Sequence, residues 1–288
     1  MKNAILWENL KAPDFAEAVK KSKGVCVVPI GAMEKHGPHM PVGTDNIIAE
    51  RTAILAAERE PVVIFPTFGF GDINGIKNLP GSICFSSRLL FDYLTELCGE
   101  IARNGFKKIL FINAHGGNPP LLTTFCRSNR EKKLDYVVMF ANSYGTNPAK
   151  MKKAFEERRE DFPYITDEDI AIVDKYLAVE KVRGHADFDE LLLVYESRPE
   201  TIDISRMGDE DGEGTTRTAH LREFGIFSGG NFLIDSPNSY SATYFPHVNE
   251  RLAKAYMELR VDYIAKIFKT VKEDTVLLEE NERWNNSW

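Results

Sequence analysis

The sequence predicts an α/β fold, a mainly parallel sheet with helices on both faces. Two observations carry this. Short β-rich apolar runs alternate with helical stretches along the chain, the pattern of successive βα units. The first such run, VCVVPI at 25–30, is apolar without alternation, as expected for a strand covered on both faces. Neither an internal repeat nor a linker divides the 288 residues, so a single domain over 1–288 is expected.

A polar loop after 25–30 leads into a helical stretch over about 46–60. VVIFPTF at 62–68 reads as the next strand, followed by a Gly/Asn/Pro-rich loop to 82. Over 87–104, Leu89, Leu90, Tyr93, Leu94, Leu97 and Ile101 recur at helical spacing, and Gly105 stands where a C-cap glycine belongs. KKILFIN at 107–113 and YVVMFAN at 136–142 read as strands flanking a helix over 119–132. The charged, helical stretch 145–181 reads as an insertion or lid, and LLLVYES at 191–197 as a further strand. The Gly-, Asp-, Glu- and Thr-rich stretch 199–230 reads as a long surface excursion. An amphipathic helix over 249–272 and a loose tail at 275–288 close the chain.

Composition narrows the function. With 43% apolar and 27% charged residues the chain can bury a core, which excludes disorder as its main state. Thirty-six basic against 43 acidic residues give a net charge of −7, which argues against nucleic acid or an anionic membrane as partner. No apolar run approaches the ~20 residues of a membrane span, and the N-terminus lacks the apolar core of a secretory signal. Cys26, Cys84, Cys98 and Cys126 are scattered without a C-x-x-C pair, as in a reduced, cytoplasmic protein.

In open parallel sheets, ligands bind at the carboxyl ends of the strands. Two such ends here are dense in metal-competent side chains: Glu34, His36, His39 and Asp45 after the first strand, and His115 after KKILFIN. A third cluster, Gly184-His185-Ala186-Asp187-Phe188-Asp189-Glu190, precedes LLLVYES. Four of the six histidines lie in these three segments, which random scattering would rarely achieve. Glu34 and His36, two apart in an extended segment, project to one side. Carboxylate plus imidazole donors suit Zn²⁺, Mn²⁺ or Fe²⁺, and the absence of a cysteine cluster argues against structural zinc. Several carboxylates point to two ions bridged by one of them.

Each residue also has a plainer role. Asp45 precedes a helical pattern and is equally an N-cap. His115 with two glycines is also a helix-entry loop for an anion. His185 alone would be a structural histidine, and Asp187, Asp189 and Glu190 a solvated acidic turn. Lys35 and His39 shape the loop. Ligand sets at three separate loops outweigh these readings taken singly. A serine hydrolase would need a Gly-x-Ser-x-Gly elbow, which the chain lacks. Gly69-Phe70-Gly71 lacks the third glycine of a dinucleotide site. A metal-loaded scaffold without turnover is the non-enzymatic alternative.

The ordered pattern Glu34-x-His36-Gly37-Pro38-His39-x-Pro41-x-Gly43-Thr44-Asp45, then Asn113-x-His115-Gly116-Gly117-Asn118, then His185-Ala186 ahead of Glu190, resembles the creatininase (creatinine amidohydrolase) family. The resemblance covers about 20–270. It implies a three-layer αβα sandwich, a binuclear metal centre, hydrolysis of an amide-like C–N bond of a small molecule by a metal-bridging hydroxide, and a homohexamer. By matching positions, Glu34 and His115 resemble ligands of one ion, His36 a ligand of the other, and Asp45 the bridging carboxylate. His185 resembles the family's histidine near the leaving group, where it would deliver a proton. In creatinine-hydrolysing members a glutamate two residues after the second-motif histidine binds the second ion. Gly117 stands there in this chain, which makes Glu190 the candidate replacement, as ligand and catalytic carboxylate. The segment 74–82 and the Glu190-Leu191-Leu192 stretch also depart from the family pattern, so creatinine itself is disfavoured. The family includes formamide-cleaving enzymes, a peptide-trimming enzyme and hydrolases that open cyclic ketones of inositol-type sugars. C–C cleavage of such a ketone is the alternative reaction.

Overall fold

The computed structural model describes residues 4–179, 184–240, 242 and 244–288. Five strands, β1 (Ile5–Leu6), β2 (Val25–Ile30), β3 (Val63–Ile64), β4 (Lys108–Asn113) and β5 (Val137–Asn142), form one sheet in the order β1-β3-β2-β4-β5. Every pairing is parallel. The helices are α1 (Phe15–Lys21), α2 (Thr44–Arg59), α3 (Ser87–Arg103), α4 (Asn118–Ser128), α5 (Pro148–Glu157) and α6 (Asp167–Leu177), then α7 (Phe188–Ser197), α8 (Ala219–Glu223), α9 (Asn231–Asp235), α10 (Glu250–Glu273) and α11 (Val276–Asn285).

The strand pleat sorts side chains into two cores, which makes the fold a three-layer αβα sandwich. Val25, Val27, Leu110 and Ile112 join the apolar faces of α2, α7 and α10. Cys26, Val28, Ile30, Ile109 and Phe111 point the other way, into α3 and α4. Capping side chains set several helix starts: Ser86 accepts from Leu89 N ahead of α3, and Asn249 from Leu252 N ahead of α10.

Three expectations need correction. LLLVYES is not a strand but the body of α7, packed between α2 and α10 with Leu191, Leu192, Leu193 and Val194 all buried. A four-residue apolar run cannot distinguish a buried strand from a helix buried on every side. Here the Asp187 carboxylate accepts from Phe188 N at 2.7 Å and caps the helix, and leucine favours helix over strand. The 275–288 tail is not loose. It forms α11, whose Asn281 and Asn285 amides donate to Leu134 O at 2.8 and 2.6 Å while Trp284 Nε1 donates to Arg130 O at 3.2 Å. Residues 145–179 do not form a lid. Met151, Phe155, Phe162, Val173 and Tyr176 are core residues on the α2/α10 side, and 180–181 lie outside the described residues.

The strand expected over 62–68 is regular only at Val63–Ile64: Pro66 brings no N–H to the ladder, and beyond it the chain rejoins β2 in a single parallel bridge, Phe68 to Ile30. β1 was not foreseen, since two residues carry no periodicity. The excursion at 199–230 holds short turns and α8, with Phe224 76% and Phe227 80% exposed.

Candidate metal centre

The carboxyl ends of β2 and β4, together with the first turn of α7, deliver the candidate ligands to one place. The loop after β2 carries Glu34 and His36 and runs into α2, where Asp45 lies in the first turn. Gly43 occupies the N-cap position, so Asp45 is not the cap and its carboxylate is free for another task. His115 follows β4, and Glu190 lies in the first turn of α7, just beyond His185 and Ala186. Ala186 holds a left-handed φ of 60°, a conformation costing about 1 kcal/mol or more in a non-glycine residue. Its N–H donates to Glu190 Oε2 at 2.7 Å, fixing that carboxylate.

Asp45 divides its two oxygens between two imidazoles. Oδ1 lies 3.2 Å from His36 Nε2, and Oδ2 lies 3.0 Å from His115 Nδ1. Glu34 Oε1 lies 2.9 Å from the same His115 nitrogen, and Glu190 Oε2 lies 3.8 Å from His36 Nε2. Two ligand-like groups result, Glu34/Asp45/His115 and His36/Asp45/Glu190, sharing Asp45. A third, Glu34/His36/His185, arises because His185 Nδ1 lies 3.7 Å from Glu34 and its ring stacks on His36 with centroids 4.1 Å apart. Phe232 of α9 closes on His185 edge-on at 5.5 Å.

A cation fits these donors. Each imidazole spends its outer nitrogen on a backbone carbonyl: His115 Nε2 on Asp72 O at 2.9 Å, His185 Nε2 on Lys35 O at 2.8 Å, His36 Nδ1 on Glu34 O at 3.2 Å. This is how metal-binding histidines are oriented and their tautomer set. With those nitrogens donating, the inner ones present lone pairs towards carboxylate oxygens. His36 Nε2, His115 Nδ1 and Asp45 Oδ2 are buried and make no hydrogen bond of acceptable geometry. Buried polar atoms this close yet unbonded are costly, and a cation between them removes the cost.

Without a cation, the same negative cluster draws protons onto the inner imidazole nitrogens in its place. Burial acts to lower His36, but Asp45, Glu190 and Glu34 override it and raise the imidazole to about 10. Burial also opposes the rise of His115, which Glu34 and Asp45 carry well above its ordinary value. Asp45 sits well below the carboxylate range: burial works against this and the two histidines prevail. Burial raises Glu190 to about 8 against the pull of His36, with Asp45 and Asp189 adding to the rise. His185 lies at about 4 because burial and the neighbouring His36 both disfavour its charge.

Gly117 explains why no side chain enters from the second motif. A Cβ there would lie 2.4 Å from Asp72 O and 2.4 Å from His115 Nε2, inside the hydrogen bond that orients His115. Around it, Asn113 Oδ1 accepts from His115 N at 3.1 Å and from Asn118 Nδ2 at 3.0 Å, so the loop is rigid. All six sequence-predicted residues therefore meet in one place. His39 does not join them; it packs against Tyr240 instead. Sequence reasoning missed the Asp72 carbonyl, which carries no side-chain signal.

A family model for creatininase, described as creatinine amidohydrolase, matches residues 8–247. The chain belongs to the creatininase family. Within it, a mycofactocin precursor peptide peptidase from Mycolicibacterium smegmatis is 33% identical over 98 residues, 32% of this chain and 39% of that protein. A creatinine amidohydrolase from Pseudomonas putida is 24% identical over 123 residues, 41% of this chain and 47% of that protein. The chain thus spans less than half the length of these curated creatininase-family relatives. A solved structure of a candidate creatinine amidohydrolase from Bacteroides fragilis superposes with a TM-score of 0.70 at 22% identity, covering 95% of this chain and 98% of that one. That likeness establishes the shared creatininase fold. Among the described residues no helix is long and apolar enough to cross a membrane.

Proposed function

We propose that this chain is a binuclear metal-dependent hydrolase that cleaves an amide-like C–N bond of a small molecule. The observation that carries the reading is the split of Asp45 between His36 and His115, with Glu34 and Glu190 at the two ends. Glu34, Asp45 and His115 would hold one divalent ion, and His36, Asp45 and Glu190 the other. Three protein ligands per ion leave a position open for chemistry, the usual arrangement of a hydrolytic site. Two divalent ions in such a site supply Lewis acidity that polarises a carbonyl oxygen and stabilises hydroxide at neutral pH. Three carboxylates against two such ions leave one positive charge, which favours an anionic nucleophile. Zn²⁺ is the first choice for this donor set, with Mn²⁺ and Fe²⁺ also suited.

The chain's own residues do the rest. The Asp72, Lys35 and Glu34 carbonyls lock the imidazoles so that little reorganisation is needed during reaction. His185, with Nε2–H committed to Lys35 O, keeps Nδ1 unprotonated and turned into the site, where it takes up a proton and passes it to the departing nitrogen. Phe232 covers that ring and limits water on its side. We further place the protein in the cytoplasm, on its free and scattered cysteines, and assign it a homohexamer, supported by the exposed aromatic residues of 224–232. A panel of formamides, lactams and cyclic ketones, assayed before and after chelation, tests the activity. Hydrolysis lost on chelation and restored by Zn²⁺ or Mn²⁺ is expected; full activity in metal-free protein would overturn the reading.

A further inference from the structure

The register of two strands brings an unassigned phenol to the rim of this centre. β4 and β5 pair without interruption from Lys108↔Val137 to Asn113↔Asn142. The two chains leave the sheet together: Ser143 N donates to Asn113 O at 2.8 Å, and Asn113 Nδ2 donates to Asn142 Oδ1 at 2.9 Å. Two residues beyond Asn113 stands His115, and two beyond Asn142 stands Tyr144. His115 and Tyr144 therefore leave neighbouring parallel strands at the same offset from one paired end, on the side of the sheet where the centre lies.

The turn that carries Tyr144 is clamped from behind. Arg260 of α10, only 2% exposed, donates from Nη1 to Ser143 Oγ at 3.3 Å and from Nε to Thr146 Oγ1 at 3.0 Å. The Tyr256 hydroxyl donates to Thr146 O at 3.2 Å, and Lys150 Nζ to Gly145 O at 2.8 Å. A Cβ at Gly145 would fall 2.1 Å from the Tyr263 ring, so the backbone lies flat on that residue. Arg260 also faces Asp189, so its charge is offset and its remaining donors hold the turn in place. Tyr144 is 41% exposed as a residue, and its hydroxyl has no hydrogen-bond partner among the described residues. Burial, with the charges of Asp45, Glu190 and Glu34 adding to it, pushes the phenol well above its ordinary range, against the pull of Arg260.

We propose that Tyr144 is a catalytic residue that touches the substrate, its neutral phenol donating a hydrogen bond to the carbonyl oxygen of the amide-type group held over the centre. The inference rests on the metal-centre reading above. A donor among carboxylates that face imidazoles and cations has one acceptor left to serve, and the substrate brings it.

The test uses the full-length protein stripped of metal and reloaded with Co²⁺, whose visible spectrum reports the site without turnover. Acetohydroxamate, which offers a carbonyl oxygen to the ions, is the probe. Tyr144→Phe should take up as much Co²⁺ as the wild type and bind acetohydroxamate about 3- to 10-fold more weakly, the weight of one neutral hydrogen bond. A brace with no ligand contact would instead alter cobalt uptake or the melting midpoint and leave probe affinity alone, which overturns the proposal. Equal affinity in the two proteins, or a wild type that binds Co²⁺ but not the probe, overturns the role of Tyr144 alone. A wild type that takes up no Co²⁺ removes the metal-centre reading and this inference with it.

Discussion

Gly117→Ala tests how tightly the His115 anchor is built. The new Cβ would sit 2.4 Å from both Asp72 O and His115 Nε2, which are joined by a 2.9 Å hydrogen bond. One of the two must move. Separating them leaves a part-buried carbonyl and a buried imidazole N–H without each other, about 1–3 kcal/mol, and the crowding itself adds about 1–3 kcal/mol. The total, about 2–6 kcal/mol, should lower the thermal midpoint by about 4–24 °C in a chain of this size, where 1 kcal/mol shifts it by about 2–4 °C. Loss of the orienting carbonyl should also weaken metal binding about 10- to 100-fold. Calorimetric Zn²⁺ titration and a thermal melt read the two effects separately. Gly116→Ala is the internal control: nothing lies within 4 Å of a Cβ there, so both readouts should match wild type. A Gly117→Ala protein with wild-type melting and wild-type zinc affinity would refute the argument.

Four further outcomes are expected. Glu190→Gln should hold one metal per chain instead of two by elemental analysis; two retained would mean another group ligates the second ion. His185→Ala should keep both ions and lose rate, and loss of metal would make it a ligand instead. Asp169, buried among Arg251, Asn249 and Thr166, is held at about 2 against the opposing effect of burial. Since that lies below its unfolded value near 3.9, it contributes about 2 kcal/mol at neutral pH, lost as pH falls from about 4 to 2; Asp169→Asn should melt lower than wild type at pH 7 and converge with it near pH 2, and parallel curves would contradict this. Sedimentation at micromolar concentration should show six copies, and a clean monomer would refute the hexamer.

What the sequence disclosed depended on how local each signal was. α3 and α10 are readable because their apolar spacing is long enough to carry a period, and β2, β4 and β5 because their unbroken apolar runs, rich in Val, Ile and Phe, alternate with helical stretches. α7 reads as a strand because four consecutive apolar residues have no period, and its Asp187 cap and its packing between α2 and α10 are seen only in the fold. α11 was taken for a tail because its anchors are amides reaching one carbonyl, Leu134 O, far away in sequence. In the site, Glu34, His36, Asp45 and His115 stood out as side chains crowded into strand-end loops. The Asp72 carbonyl is a backbone group and leaves no trace in residue identity. Tyr144 and Arg260 become visible only when the register of β4 on β5 is known. The role of Gly117 needed coordinates too, because a missing side chain does not say what fills its place.

The central claim, two ions bridged by Asp45, is tested most directly by counting them. Protein stripped with chelator, reloaded with Zn²⁺ and desalted should carry two zinc ions per chain by elemental analysis, and Asp45→Asn should lose both. A wild-type chain that retains none or one, or an Asp45→Asn chain that still holds two, would contradict the account.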